Sequence, residues 1–411
     1  MTSFQALATA ISAQVGTGNI VGACGAILIG GPGAIFWMWI CGLLAMGTKY
    51  AEAALAVRYR KKTGGETAAG PMYIITEGMG TKWRPLAAAY CVFGLAASFG
   101  VGNAAQVNAV ISGINSVLTG LGEPESFRKN LAMGLILSVI VGSVLMGGVR
   151  RIGAAAEVLV PFVSVFYIGL CFLVLFLRRD AVPEAVGSIV RGAFSPGAMT
   201  GGAVGSVLQA LRIGCSRGVF TNEAGMGTAS IAHGAADVSH PAEQGLMGIV
   251  EVFLDTIVLC TLTALVILVS QVSIPYGTDG GGSLTVTAFA AVCGGWTSAA
   301  LAAALCCFAF ATVLGWGLYG GRCAQYLFGS GAWEPFAACQ TAAVVLGAVL
   351  NTQTIWLLSE LLNGLMAIPN LIALAALSPE LTRLTKEYIK KEGGNAAEGG
   401  NHADFHQCQP L

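Results

Sequence analysis

Residues Phe4 to Leu28 read FQALATAISAQVGTGNIVGACGAIL. The stretch runs 25 positions without a charged residue, long enough to cross a bilayer as a helix. Its middle, Gly16-Thr17-Gly18-Asn19, sets two glycines among small polar side chains, and glycine weakens a helix interior. In lipid, an interrupted backbone is tolerated only where protein buries it or it borders a cavity. Two readings fit. One is a broken spanning helix of the kind that builds substrate and ion sites in secondary transporters. The other is a glycine-packed helix crossing.

The rest of the chain places this segment in a membrane. Its 411 residues are 55% hydrophobic and 10% charged, against roughly 25% charged in soluble domains. The 57 glycines suit close helix packing in lipid. A net charge of zero offers no basic face for nucleic acid. The cysteines are scattered through apolar runs without zinc or redox spacing, and read as small buried hydrophobes. The first apolar run lacks a basic leader and is too long for a cleaved signal.

Ten spans can be marked, at about 4–28, 32–57, 86–119, 131–149, 152–177, 198–220, 245–272, 296–320, 335–350 and 354–377. Residues 181–194 are amphipathic and suit an interface. Residues 283–293 are apolar but too short to cross. A single transporter domain over 1–391 is expected, with a disordered cytoplasmic tail at 392–411. Ten spans divide into five and five, at about 4–177 and 198–377. The second half then runs opposite to the first, as in inverted-repeat transporters. Each half should open on a broken helix. In the second half, the glycines at 201, 202 and 205 suggest where. Lys and Arg crowd the loops on the side of the N-terminus, among them Arg58, Arg60, Lys61, Lys62, Arg150 and Arg151. This bias puts both termini in the cytoplasm; the plasma membrane is the expected location.

Seven blocks carry a family resemblance: FQALATAISAQVGTGNIVG, GGPGAIFWMW, GTKYAEAALAVRYR, GPMYII, RGVFTNEAGMG, FLDTIVLCTLT and FAFATVLGWGLYG, in this order over residues 4–320. Together they resemble the alanine or glycine:cation symporters. The resemblance implies an all-α, leucine-transporter-like fold, a sodium or proton gradient as driving force, and small neutral amino acids as cargo. Two departures stand out. Family members usually carry another helix before the first block, so this chain reads as a short variant lacking that helix, or as an incomplete reading frame. And Ala311 stands where the family has a second hydroxyl, leaving Thr312 alone.

The polar residues can be weighed against this. Free N–H groups at the start of a half-helix suit a cargo carboxylate, and Gly18 and Asn19 can present them, with Thr17 adding a hydroxyl. The resemblance suggests that Gln106 reaches the cargo's polar head; the plain alternative is an interhelical hydrogen bond. It suggests Trp316 as the wall over the side chain; the alternative is a core or interfacial tryptophan. It sets the carbonyls of Ala13 and Gly16 opposite the Thr312 hydroxyl as a sodium site. Glu52, Glu157, Glu251, Asp255 and Glu360 are acids inside spans, each a functional hypothesis by default. Lys49 and Glu52 lie one turn apart and can pair. Asp255 reads as a gating or proton-linked carboxylate, or as a hydrogen-bond anchor. Asn222 and Glu223 can cap a helix, or Glu223 can pair with Arg217 as an inner gate.

The expected function is sodium-coupled symport of alanine or glycine by alternating access, with sodium as coupling ion and no other cofactor. The expected partners are the amino acid and the bilayer, with no nucleic acid and the oligomeric state open. The alternatives are a proton-coupled or other small-zwitterion permease, and an inactive truncated member. A membrane-embedded enzyme needs a nucleophile–base pair or metal cluster, and none stands out.

Overall fold

The computed structural model describes residues 1–403, apart from 64–65, 121, 196, 198–199, 202–205, 279–281 and 351. Helix α1 (Ser3–Gln14) opens on a capping box, in which the Thr2 hydroxyl accepts from the Gln5 amide and the Gln5 side chain accepts from the Thr2 amide. It stops after Gln14, and α2 (Thr17–Gly30) continues bent by 47°. Gly31, at φ 73°, and Pro32 turn the chain into α3 (Gly33–Arg58). A short antiparallel hairpin follows, β1 (Lys61–Thr63) and β2 (Glu66–Ala68), with Lys62 opposite Thr67. Next, α4 (Arg84–Phe99) and α5 (Ala105–Gly120) form one span, joined by a π-helical turn at Gly100–Ala104. Then come α6 (Phe127–Leu145), capped by the Ser126 hydroxyl, and α7 (Gly148–Leu177). The amphipathic stretch is α8 (Val182–Phe194). It buries Ala185, Ser188, Ile189 and Gly192, one face of a helix, and receives the Trp37 indole N–H of α3 on the Ala193 carbonyl at 3.3 Å.

The second half repeats the plan. Helix α9 (Val207–Asn222) ends in mid-protein, and the six-residue α10 (Thr228–His233) resumes after a five-residue break. Helices α11 (Pro241–Val252) and α12 (Thr261–Val269) are joined by a π-helical stretch, Phe253–Cys260, into one span. The short apolar α13 (Ser283–Cys293) precedes α14 (Trp296–Phe328), α15 (Trp333–Val349) and α16 (Thr352–Ala376). Helix α17 (Ser378–Ala403) runs into the tail expected to be disordered; residues 404–411 lie outside the described part.

Seven helices among the described residues are long and apolar enough to cross a membrane, and nine spans result if each of two bent pairs counts as one. Of the ten expected spans, the sixth falls short because α9 has only 16 residues before it breaks. That break lies at 223–227; of the glycines at 201, 202 and 205, where a break is also expected, 202 and 205 lie outside the described residues. Leu44, Val139, Phe162, Phe176 and Leu208 project outward, as a lipid-facing surface requires. The interior divides into two apolar clusters. Val15 and Ala311 belong to one, Ala13 and Val313 to the other. The first helix break therefore sits on the seam between them, facing α14.

Candidate functional site

A helix that stops at Gln14 leaves its last carbonyls without helical donors, and one that starts at Thr17 leaves its first N–H groups free. The two ends meet around Gly16. Its N–H donates to Asn19 Oδ1 at 3.3 Å. A methyl group on Gly16 would lie 2.5 Å from Thr312 Oγ1 and 3.6 Å from Gln106 Oε1, so only glycine lets α14 and the Gln106 amide come this close. Thr17 Oγ1 donates to Gln106 Oε1 at 2.9 Å, and Gln106 Nε2 donates to the Val101 carbonyl in the π-helical turn at 3.2 Å. Thr312 Oγ1 donates back to the Phe308 carbonyl at 3.1 Å, leaving its lone pairs toward the break. Gly18 faces the Phe220 ring, 3.7 Å from where its Cβ would stand, and Gly315 of α14 packs on Ala13. Thr17, Asn19, Gln106, Thr312 and Trp316 are all buried. Gln14, beside the break, is buried with neither carboxamide atom hydrogen-bonded among the described residues.

A chain of hydrogen bonds leads from here to the second break. Asn19 Nδ2 donates to Asp255 Oδ1 at 2.6 Å, and the Thr256 hydroxyl donates to Asp255 Oδ2 at 2.9 Å. Asn222 Nδ2 donates to Thr256 Oγ1 at 3.1 Å, and the Ala224 amide donates to Asn222 Oδ1 at 3.0 Å. At the break Glu223 takes left-handed backbone, φ 52°, and Gly225 and Gly227 follow at φ 89° and 78°. The freed amides of Gly225 and Gly227 donate to Glu52 Oε1 at 2.9 and 3.0 Å, and Asn370 Nδ2 donates to the same oxygen at 2.7 Å.

Sequence similarity now fixes the family. Residues 1–401 match the model of the sodium:alanine symporter family. The chain belongs to that family. It is 41% identical to an uncharacterized transporter of Haemophilus influenzae over 95% of this chain and 84% of the relative. It is 40% identical to the sodium/alanine symporter AgcS of Methanococcus maripaludis over 96% and 86%, and 36% identical to the probable sodium/glutamine symporter GlnT of Bacillus subtilis over 95% and 79%. Among solved structures it resembles MhsT in complex with L-phenylalanine, with a TM-score of 0.61 at 14% identity over 89% of this chain and 87% of that one. It also resembles the nucleobase-cation-symport-1 family transporter Mhp1, with a TM-score of 0.54 at 12% identity over 94% and 78%. The fold is thus the leucine-transporter-like plan of two five-helix repeats, and the protein is a multi-pass membrane transporter, not an enzyme.

Within this symporter fold the expected site residues fall into two groups. Ala13, Gly16, Thr17, Gly18, Asn19, Gln106 and Thr312 converge on the first break. Trp316 lies one turn further along α14, buried, with its indole N–H on Glu223 Oε1 at 3.2 Å. Glu223 Oε2 receives the Thr228 hydroxyl at 2.6 Å, while the Arg217 guanidinium lies 6.0 Å from the Phe220 ring centroid. Asp255 anchors Asn19. Lys49 does not pair with Glu52. Its ammonium meets Glu251 Oε1 at 3.2 Å, both side chains fully buried. Glu52, one turn away on α3, turns instead to the unpaired amides of the second break. Glu251 Oε2 meets His233 Nε2 at 2.5 Å, and Gln244 Nε2 lies 2.7 Å from His233 Nδ1. Gln244 Oε1 accepts from the Ser3 hydroxyl at 2.7 Å, so its Nε2 faces the histidine as donor and places the imidazole proton on Nε2. Glu157 accepts from Gln5 Nε2 at 2.9 Å; the Glu360 side chain lies outside the described residues. Phe220, Asn222, Asn370 and His233 were not singled out from sequence as pocket or network residues. Phe220 and Asn222 lie in the block RGVFTNEAGMG, whose Asn-Glu and paired glycines mark the break, whereas His233 and Asn370 lie outside every such block.

Proposed function

We propose that this protein is a sodium-coupled symporter of a small neutral amino acid, alanine or glycine, working by alternating access. The observation that carries the reading is the first break, where free backbone groups, Thr17, Asn19, Gln106 and Thr312 converge in a buried site without a charged side chain on α1 or α2. The start of α2 suits the cargo carboxylate, since half-helix N-termini favour anions. Thr17 and Gln106 orient the polar head, and Trp316 with Phe220 walls the side chain, leaving room for little more than a methyl. Sodium takes the carbonyls of Ala13 and Gly16 with the Thr312 hydroxyl, bridging the broken helix to α14. Because Ala311 supplies no second hydroxyl, sodium affinity is modest. A cavity of about 520 Å³ bordered by Arg217, Phe220, Met226 and Asn363 reaches the Phe220 wall and suits cargo entry. On the opposite side α1 is tied down by Ser3–Gln244 and Gln5–Glu157. These ties act as the inner gate, with both termini cytoplasmic in the plasma membrane, as the Lys and Arg bias implies.

A proton-coupled reading also has an observation behind it. Glu52, Glu223, Glu251 and Asp255 are buried against one buried lysine, Lys49, and an uncompensated buried carboxylate is costly unless it carries a proton. Uptake of radiolabelled alanine into proteoliposomes under an imposed sodium gradient, a proton gradient or neither separates the readings. Accumulation driven by sodium alone is expected. Accumulation driven only by protons moves coupling to the acids, and none under either gradient rejects alanine symport.

A further inference from the structure

The wall residue Trp316 is itself held from two sides. Its indole N–H donates to Glu223 Oε1 at 3.2 Å, across 93 positions of sequence. Gly102 lies against its base: a methyl on Gly102 would overlap Trp316 Cβ and Cγ and come within 2.8 Å of Cδ2. Both holders are fixed in their turn. Gly102 belongs to the π-helical turn whose Val101 carbonyl receives Gln106. Glu223 is set by its left-handed backbone at the second break and by the Thr228 hydroxyl on its other oxygen. Tyr319 meets the indole edge-on, ring centroids 5.8 Å apart.

We propose that Glu223 and Gly102 are positioning residues that set the place of the Trp316 indole and thereby the size of cargo the pocket admits. The inference rests on the symport reading above. One methylene in an apolar pocket is worth about 10–200-fold in discrimination, so a small displacement of the ring changes selectivity strongly. A buried indole N–H without its acceptor is driven to find another partner, and the ring turns with it. Through Glu223 the second helix break fixes the wall of a pocket built on the first.

The test is displacement of labelled alanine from the full chain by serine, methionine and leucine. Glu223→Gln keeps an oxygen for the indole and should retain the parent's selectivity. Glu223→Met removes the acceptor and should move the alanine-to-methionine ratio by about tenfold. In a Trp316→Phe background, which has no N–H to hold, adding Glu223→Met should move it no further. Gly102→Ala presses on the same ring, and should change the ratio even if Glu223→Met fails to fold. A shift in Glu223→Gln as large as that in Glu223→Met would assign the carboxylate to charge rather than position and overturn the proposal. So would a Glu223→Met shift that persists without the indole N–H, or a flat panel in a parent that binds alanine. If the parent binds neither alanine nor glycine, the symport reading fails first and this inference falls with it.

Discussion

The two helix breaks occupy equivalent places in the two halves, yet their chemistry is opposite. At the first, the polar atoms are hydroxyls, amides and free backbone groups. At the second, the protein has supplied its own anion: Glu52 Oε1 accepts the Gly225 and Gly227 amides that open α10. A protein carboxylate thus stands there in the position that a cargo carboxylate takes at a half-helix start. Around it lie Glu223, Glu251 and Lys49, all buried. In the proposed reading the first break is left open for charged ligands, whereas at the second Glu52 already holds the freed amides as an anchor. The Asn19–Asp255–Thr256–Asn222 chain joins the two.

The largest expected effect tests the anchor. Glu251→Ala strands Lys49 and removes the acceptor of His233. Breaking a buried ion pair from one side costs about 3–5 kcal/mol, so the melting temperature in detergent should fall sharply. Gly16→Ala makes the counterpart. Its methyl would press on Thr312 Oγ1, and overpacking of this kind costs about 1–3 kcal/mol. Its main result should be lost alanine binding in a folded protein. If Gly16→Ala destabilised as much as Glu251→Ala and bound alanine normally, the division between open site and anchor would be broken.

The first break was legible because its cause is local. Two glycines in an uncharged run disfavour the helix whatever surrounds them, and Thr17 and Asn19 advertise the polar lining. The break at 223–227 is harder to read, because composition points to the glycines at 201–205, of which 202 and 205 lie outside the described residues. At 223–227 the sequence needs only Gly225 and Gly227 and a glutamate in left-handed backbone. Spacing also misled at Lys49 and Glu52. A one-turn separation licenses a pair on an isolated helix, but the true partners, Glu251 and the Gly225 amide, lie about 200 and 170 positions away and depend on how α3 meets α11 and the break. The hairpin after α3 was missed because its strands are three residues long.

A middle-sized effect sharpens the link between the breaks. Asn19→Ala removes the donor to Asp255 and the acceptor of the Gly16 amide, and should weaken alanine binding about tenfold, the upper end for one hydrogen bond. Thr17→Val should do slightly less, since it removes one bond to Gln106. Calorimetric titration of both variants measures this. Parent-like affinity in both would move the cargo away from the first break.

The smallest effects concern the ion. Thr312→Val keeps the shape of the side chain and removes the oxygen that faces Gly16. With backbone carbonyls left to hold sodium, the concentration for half-maximal alanine uptake should rise about three- to tenfold, the range for one hydroxyl's contribution. Ala311→Ser restores an oxygen beside it and should lower that concentration, but by less. A serine inside a helix also bonds back to the carbonyl four residues earlier, here Cys307, which draws its hydroxyl from the ion. Sodium titrations at saturating alanine measure both. An unchanged titration in Thr312→Val would take α14 out of the ion site. Coupling would then pass to Asp255, which already touches Asn19, and the uncharged break would depend for its cation on the acidic one.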